Sequence, residues 1–149
     1  MKTVFAVSSI VLLLGATACK ENPFVKKGNP FAGIPTSVLK DTTTVEIPEK
    51  EFKFDTINQG DTVLHTFQIK NTGDKNLIIG NAFGSCGCTV PEYPKDPIAP
   101  GATADIKVRF NSAGKEGEQH KSVTLQINTV SHEEKVFLTG FVIAPKKDK

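Results

Sequence analysis

The chain has 149 residues, a formal net charge of +2 at pH 7, no tryptophan and a single methionine at position 1. Acidic and basic residues are interspersed along the chain without a basic block, so we expect no nucleic-acid partner. Once a leader of 18 residues is removed, the remaining length suits one compact domain with a tail. Its core must be built from phenylalanine, valine, isoleucine and leucine.

Residues 1–18 have the organisation of a bacterial lipoprotein signal peptide. Lys2 supplies a positive charge, and Val4–Gly15 is an apolar run too short to span a membrane as a helix. The following Ala16-Thr17-Ala18-Cys19 resembles a lipobox, with alanine at the first position, where leucine is usual. We expect cleavage before Cys19 and lipidation of that cysteine, which anchors the protein to a membrane. Ordinary Ala-x-Ala cleavage and an uncleaved anchor are the alternatives.

The residues after Cys19 bear on localisation. Lys20-Glu21-Asn22 lacks the aspartate that commonly retains lipoproteins in the inner membrane of proteobacteria. The sequence therefore predicts an outer-membrane lipoprotein of a bacterial cell envelope. It leaves open whether the domain faces the periplasm or the cell surface.

Residues 19–43 are predicted to be the lipidated cysteine followed by a flexible tether. They show no sustained alternation of apolar and polar side chains. The alternative is that Phe24 and Phe31 dock on the folded domain. Prolines and glycines interrupt the segment at five positions: Pro23, Gly28, Pro30, Gly33 and Pro35.

Residues 44–144 show the period-two alternation that is typical of β-strands, and no stretch has a helical period. Turns rich in glycine, proline, asparagine and aspartate separate the alternating runs. This pattern predicts an all-β fold, an immunoglobulin-like antiparallel β-sandwich of about seven strands, followed by a charged tail at residues 145–149. The predicted strands are 44–47, 52–55, 62–71, 77–82, 102–111, 122–128 and 134–143.

A turn at residues 71–74 predicts that the strands before and after it form a hairpin. In that register, paired residue numbers add to roughly 148, so His65 would lie near Phe83. This pairing would bring His65 close to Ser85-Cys86-Gly87-Cys88 at one end of the sandwich. The alternative is a core histidine that is hydrogen-bonded to the backbone.

Cys86 and Cys88 are the two cysteines that remain once Cys19 carries lipid. Residues at i and i+2 of an extended chain point the same way, and Gly87 can bend to bring the sulfur atoms together. The pair could form a disulfide, pack as thiols, exchange with other thiols, or bind copper or zinc together with His65. Ser85 and His65 lack an oriented acid and an oxyanion site, so we expect no catalytic residues and no enzyme.

Several segments of the domain resemble one family, over about residues 45–143. They are similar to the domain of unknown function 1573, which is common in secreted and lipid-anchored proteins of the Bacteroidetes. The resemblance implies an immunoglobulin-like domain akin to the major sperm protein and Hydin-type domains, which are chiefly non-catalytic binding or scaffolding modules. The segments are Phe52-Lys53-Phe54-Asp55, Gly60–Phe67, Asn71-Thr72-Gly73, Ser85–Thr89, Ile98–Gly101 and Leu138–Val142.

The function expected from these observations is a lipid-anchored, non-enzymatic envelope protein that binds another envelope component. The loops around Cys86–Pro100 are the expected binding region, with Ser85, Thr89 and Tyr93 as candidate partner-binding residues. No cofactor is expected under this interpretation. The alternative is a copper- or zinc-binding or thiol-redox module that uses Cys86, Cys88 and His65.

Overall fold

A computed structural model describes residues 40–145. The predictions for the signal peptide, for Cys19, for most of the tether and for the end of the charged tail lie outside the described residues. Within residues 40–145, no helix is long and apolar enough to cross a membrane.

The described residues form eight β-strands in two sheets of four strands each. The first sheet has the order β1-β3-β6-β5, and the second has the order β2-β8-β7-β4. The predicted all-β immunoglobulin-like sandwich is therefore confirmed, with one additional strand, β5, that the sequence did not indicate. The strands are β1 Val45–Glu46, β2 Glu51–Asn58, β3 Thr62–Asn71, β4 Ile79–Gly84, β5 Thr89–Glu92, β6 Thr103–Asn111, β7 Gly117–Ile127 and β8 Glu133–Ile143.

Period-two alternation explains how each strand faces the core. In β3, Phe67 and Ile69 are buried, whereas Thr66 and Gln68 between and beside them are exposed. The same pattern holds along β6, which pairs antiparallel with β3 from Thr62↔Asn111 to Lys70↔Thr103. One pair departs from the antiparallel prediction, because β2 runs parallel to β8 at the edge of the second sheet.

The core lies between the inner faces of the two sheets. Phe54 of the second sheet contacts Phe110 of the first, with ring centroids 5.6 Å apart. Burial of apolar side chains of this kind is the main driving force for packing two sheets. The fully buried side chains are Phe67, Ile69, Leu77, Ile106, Val108, Phe110, Val123, Leu125, Ile127, Val136, Leu138 and Val142.

The hairpin predicted after Asn71 is wrong, because β3 and β4 lie in different sheets. The chain leaves β3 and crosses the interior, where Leu77, Ile78 and Ile79 are all buried. Leu77 makes an isolated antiparallel bridge with Ile98 before β4 begins. A run that is apolar on every side thus marks a crossing between the sheets and not the returning strand of a hairpin.

Two buried asparagines hold the connections around this crossing. The side-chain amide of Asn71 donates to the carbonyl oxygens of Lys75 and Ile98, at 2.7 and 2.9 Å. The side chain of Asn128 accepts a hydrogen bond from the amide of Ile78 at 2.7 Å and donates to the carbonyl of Asn76 at 2.9 Å. Buried backbone groups outside regular strands need hydrogen-bond partners. These two side chains supply the partners that strand pairing would provide in a hairpin.

Candidate functional site

The segment Ser85–Cys88 carries the chain from the second sheet to the first, since β4 and β5 belong to different sheets. The Sγ atoms of Cys86 and Cys88 are in bonding contact, and their Cα atoms lie 5.2 Å apart. The amide of Thr89 donates to the carbonyl of Cys86 at 3.1 Å, which closes a turn around Gly87. The cysteine pair therefore forms a compact ring at the crossing between the sheets.

Both ends of this ring are fixed to neighbouring strands. The Ser85 amide donates to the carbonyl of Ser122 at 2.8 Å, and the Ser85 hydroxyl accepts from the Ser122 amide at 3.2 Å. The carbonyl of Cys88 accepts from the amide of Asn111 at 2.9 Å. Ser85 thus extends the ladder of the second sheet by one residue, while Cys88 is held by the first sheet.

Gly84 allows the two strands to meet this closely. A Cβ atom at this position would collide with the carbonyl oxygen of Thr89. Only glycine leaves room for backbone to approach backbone at that separation. The glycine immediately before the Ser-Cys-Gly-Cys run is thus part of the site's construction.

Thr89 lies beneath the sulfur atoms. Its side chain is buried, and its hydroxyl oxygen is 3.6 Å from the Sγ of Cys86 and 3.9 Å from the Sγ of Cys88. Thr89 is only 3% exposed, so its hydroxyl faces the cysteine ring and is not available to a partner at the surface. Thr89 was predicted to be a partner-binding residue, and its contact with both sulfurs was not predicted.

Tyr93 ties the segment after β5 back to β4. Its phenolic hydroxyl donates to the carbonyl of Gly80 at 3.4 Å. The ammonium group of Lys95 lies 3.5 Å from the centroid of the Tyr93 ring, in a cation–π arrangement. The Tyr93 hydroxyl therefore holds this segment against β4, and the Lys95 side chain covers one face of the Tyr93 ring.

His65 does not join the cysteines. Its ring stacks on Phe52 of the opposite sheet at a centroid distance of 3.7 Å, and its Nε2 lies 3.0 Å from a carboxylate oxygen of Glu49. The predicted proximity to the sulfurs is wrong because β3 pairs with β6, not with β4. Among residues 40–145, no three His, Cys, Asp or Glu side chains are grouped so that they could hold a metal ion.

A second feature lies on the outer face of the first sheet, beside the cysteine ring. Leu64 and Val90 flank Arg109 in neighbouring strands of one ladder, and they are 73% and 41% exposed. Lys107 and Glu92 continue the same shallow groove. This apolar pair was not predicted, because without β5 nothing placed Val90 in the same sheet as Leu64.

Comparison with known proteins identifies the type of domain. A family model described as "Protein of unknown function (DUF1573)" matches residues 45–142. A search of the curated proteins found no match.

Solved structures share the fold at low sequence identity. A protein of unknown function from Porphyromonas gingivalis W83 has a TM-score of 0.59 and 12% identity, with 68% of this chain and 47% of that chain covered. A PapD-like domain of human CEP192 has a TM-score of 0.57 and 12% identity, with 97% and 100% covered. The secreted serine protease VesC from Vibrio cholerae has a TM-score of 0.53 and 13% identity, with 67% and 23% covered.

These similarities establish the PapD-like, immunoglobulin-like fold alone. The chain spans about half the length of the Porphyromonas protein and about a quarter of VesC. The matching family model describes a domain of unknown function and indicates no enzyme family.

Proposed function

Since the chain belongs to the DUF1573 family of unknown function, we propose from its surface chemistry that the domain is a non-enzymatic binding module of the bacterial cell envelope. The observation that carries this proposal is the exposed pair Leu64 and Val90 on either side of Arg109. The core of a protein–protein interface is more apolar than its rim, and arginine is enriched there. We therefore assign the partner contact to the outer face of the first sheet.

The charges of this face indicate the chemistry of the partner. Arg109 and Lys107 are neighbouring exposed cations on the outer side of β6, and Glu92 lies opposite Lys107 on β5. A partner that places an acidic side chain between apolar ones would satisfy Arg109 while it covers Leu64 and Val90. The arginine guanidinium binds a carboxylate in a bidentate geometry, with two parallel hydrogen bonds, which the lysine ammonium cannot form. We propose that the partner is another protein of the envelope.

The resemblance of residues 1–18 to a signal peptide and of Ala16-Thr17-Ala18-Cys19 to a lipobox supports a membrane anchor at Cys19. In the proposed arrangement, acyl chains on Cys19 hold the protein in the outer membrane, and residues 20–43 set the distance between the lipid and the domain. Metabolic labelling with a radioactive fatty acid should label the wild-type protein and leave a Cys19→Ser variant unlabelled. The variant should also leave the membrane fraction. Equal labelling of both proteins would contradict the anchor.

Site-specific crosslinking tests the binding face. A photoreactive amino acid at position 64 or 90 should give the same discrete adduct in intact cells. The matched control is position 130, because Val130 is an exposed apolar residue in the turn between β7 and β8, with 82% exposure. Arg109→Glu should lower the yield of the adduct at position 64 by about tenfold, the effect of losing one charge-assisted contact.

Two outcomes would contradict the proposed face. One is an equal adduct yield at position 130, and the other is an adduct at position 64 that does not respond to Arg109→Glu. A circular dichroism spectrum and an unchanged unfolding midpoint for Arg109→Glu show that the folded domain is being tested. Arg109 is suitable for this change because its side chain is exposed.

A further inference from the structure

The cysteine ring has features that the proposed binding face does not use. Cys86 and Cys88 are both partly accessible, and Gly87 between them is exposed. Most structural disulfides close long loops, and the stabilisation that they give falls as the closed loop becomes shorter. A bond between residues only two positions apart therefore adds little to the stability of the fold.

The hydroxyl of Thr89 supplies a second, independent observation. It lies 3.6 Å from the Sγ of Cys86 and 3.9 Å from the Sγ of Cys88. Disulfide sulfurs carry no hydrogen, so the threonine is the donor, and its one hydroxyl hydrogen points to either sulfur or is shared between them. A donor held at this place can stabilise the negative charge that develops on whichever sulfur leaves when the bond breaks. The burial of Thr89 keeps this donor fixed beside the ring.

We propose that, in addition to the binding face, Cys86 and Cys88 form a site for stoichiometric thiol–disulfide exchange with a dithiol substrate, with Thr89 as a positioning residue. A substrate thiolate attacks the Sγ of Cys86, the Cys86–Cys88 bond breaks, and Cys88 leaves with the electron pair as a thiolate. The second thiolate of the substrate then attacks the substrate sulfur of this mixed disulfide and releases Cys86. The substrate is oxidised to a disulfide, the cysteine pair is reduced, and the released thiolates take up two protons.

The surroundings of the two sulfurs decide which one is attacked. Cys88 packs against the hydrophobic core, whereas Cys86 is not part of that packing. The attacking thiolate must approach along the axis of the sulfur–sulfur bond, which requires open space beyond the attacked atom. Cys86 meets this condition better, so Cys88 is the leaving sulfur and its thiolate remains beside the Thr89 hydroxyl.

The rate of reduction by glutathione tests the role of Thr89. The oxidised domain of a Thr89→Val variant should react about threefold to tenfold more slowly than the wild type, because valine keeps the shape and removes the donor. Thr89→Ser should restore most of the rate. In concentrated urea the wild-type and Thr89→Val proteins should react equally. Equal rates in the folded proteins, or a difference that persists in urea, would overturn the role of Thr89.

A trapping experiment tests the assignment of the attacked sulfur. After reduction, Cys88→Ser should form a stable mixed disulfide with oxidised glutathione at Cys86, seen by intact mass. Cys86→Ser should form the adduct at Cys88 several-fold more slowly, since Cys88 packs on the core. Equal or reversed rates would overturn the assignment. Both tests use small thiols and do not involve Leu64 or Val90, so the exchange site and the binding face can fail separately.

Discussion

Replacing Phe110 with alanine is expected to lower the free energy of unfolding by about 3–5 kcal/mol. The ring is fully buried and contacts Phe54 across the two sheets, with centroids 5.6 Å apart. Phe110 is paired with Val63 on one side and with Thr89 on the other. A cavity at this position removes packing between the sheets and also weakens the support beneath the cysteine ring.

Urea denaturation followed by circular dichroism measures this effect. Phe141→Ala is the matched control, because Phe141 is 45% exposed on β8, and we expect a loss of less than about 1 kcal/mol. Phe110→Leu should fall between the two variants, since leucine refills part of the space. Similar losses for Phe110→Ala and Phe141→Ala would contradict the packing described for the core.

The strands were predictable where burial alternates without interruption. The run from Thr62 to Asn71 was predicted as one strand and is β3, and the run from Ala102 to Asn111 differs from β6 by a single residue. In both strands most inner side chains are apolar and the outer ones are polar or charged. The exceptions in β3 are Leu64 on the outer face and His65 and Asn71 on the inner face. This periodicity is a local property, so a sequence can reveal it.

The strand β5 was missed because it has only four residues, one of which is Pro91. Proline cannot donate a backbone hydrogen bond and is therefore a signal against a central strand. In the structure β5 is the edge strand of the first sheet, where proline is tolerated. The alternation of Thr89 and Pro91 with the exposed Val90 and Glu92 is present in the sequence, but it is too short to be distinguished from a loop.

The pairing of strands was not predictable from local patterns. A turn at residues 71–74 is compatible with a hairpin and also with a crossing between sheets. The deciding information is the burial of Leu77, Ile78 and Ile79 together with the hydrogen bonds made by Asn71. Two of those bonds, to Thr43 and Ile98, join residues that are far apart in sequence.

The features of the candidate site were likewise predictable where they depend on local sequence and not where they depend on strand pairing. The convergence of Cys86 and Cys88 follows from their spacing and from Gly87, and it was among the predicted alternatives. The position of His65 depended on the wrong hairpin and was therefore wrong as well. The contact of Thr89 with both sulfurs depends on the chain turning from one sheet into the other. No local pattern encodes that geometry.

Replacing Asn71 with alanine is expected to lower the free energy of unfolding by about 3 kcal/mol or more, because the buried groups that it binds lose their partners. Asn71 is fully buried. Its side-chain oxygen accepts hydrogen bonds from the hydroxyl of Thr43 at 2.7 Å and the amide of Gly73 at 3.2 Å. Its amide nitrogen donates to the carbonyls of Lys75 and Ile98 at 2.7 and 2.9 Å.

Asn111→Ala separates burial from the loss of an asparagine as such. Asn111 is exposed, and its side chain accepts one hydrogen bond, from the amide of Ala113 at 2.8 Å. We expect this control to lose about 1 kcal/mol or less in the same urea titration. Amide hydrogen exchange should also quicken at Gly73 in the Asn71→Ala protein, because its amide loses the Asn71 side chain and keeps only the carbonyl of Thr44 as acceptor. Equal stability losses in the two variants would show that Asn71 does not hold the crossing between the sheets.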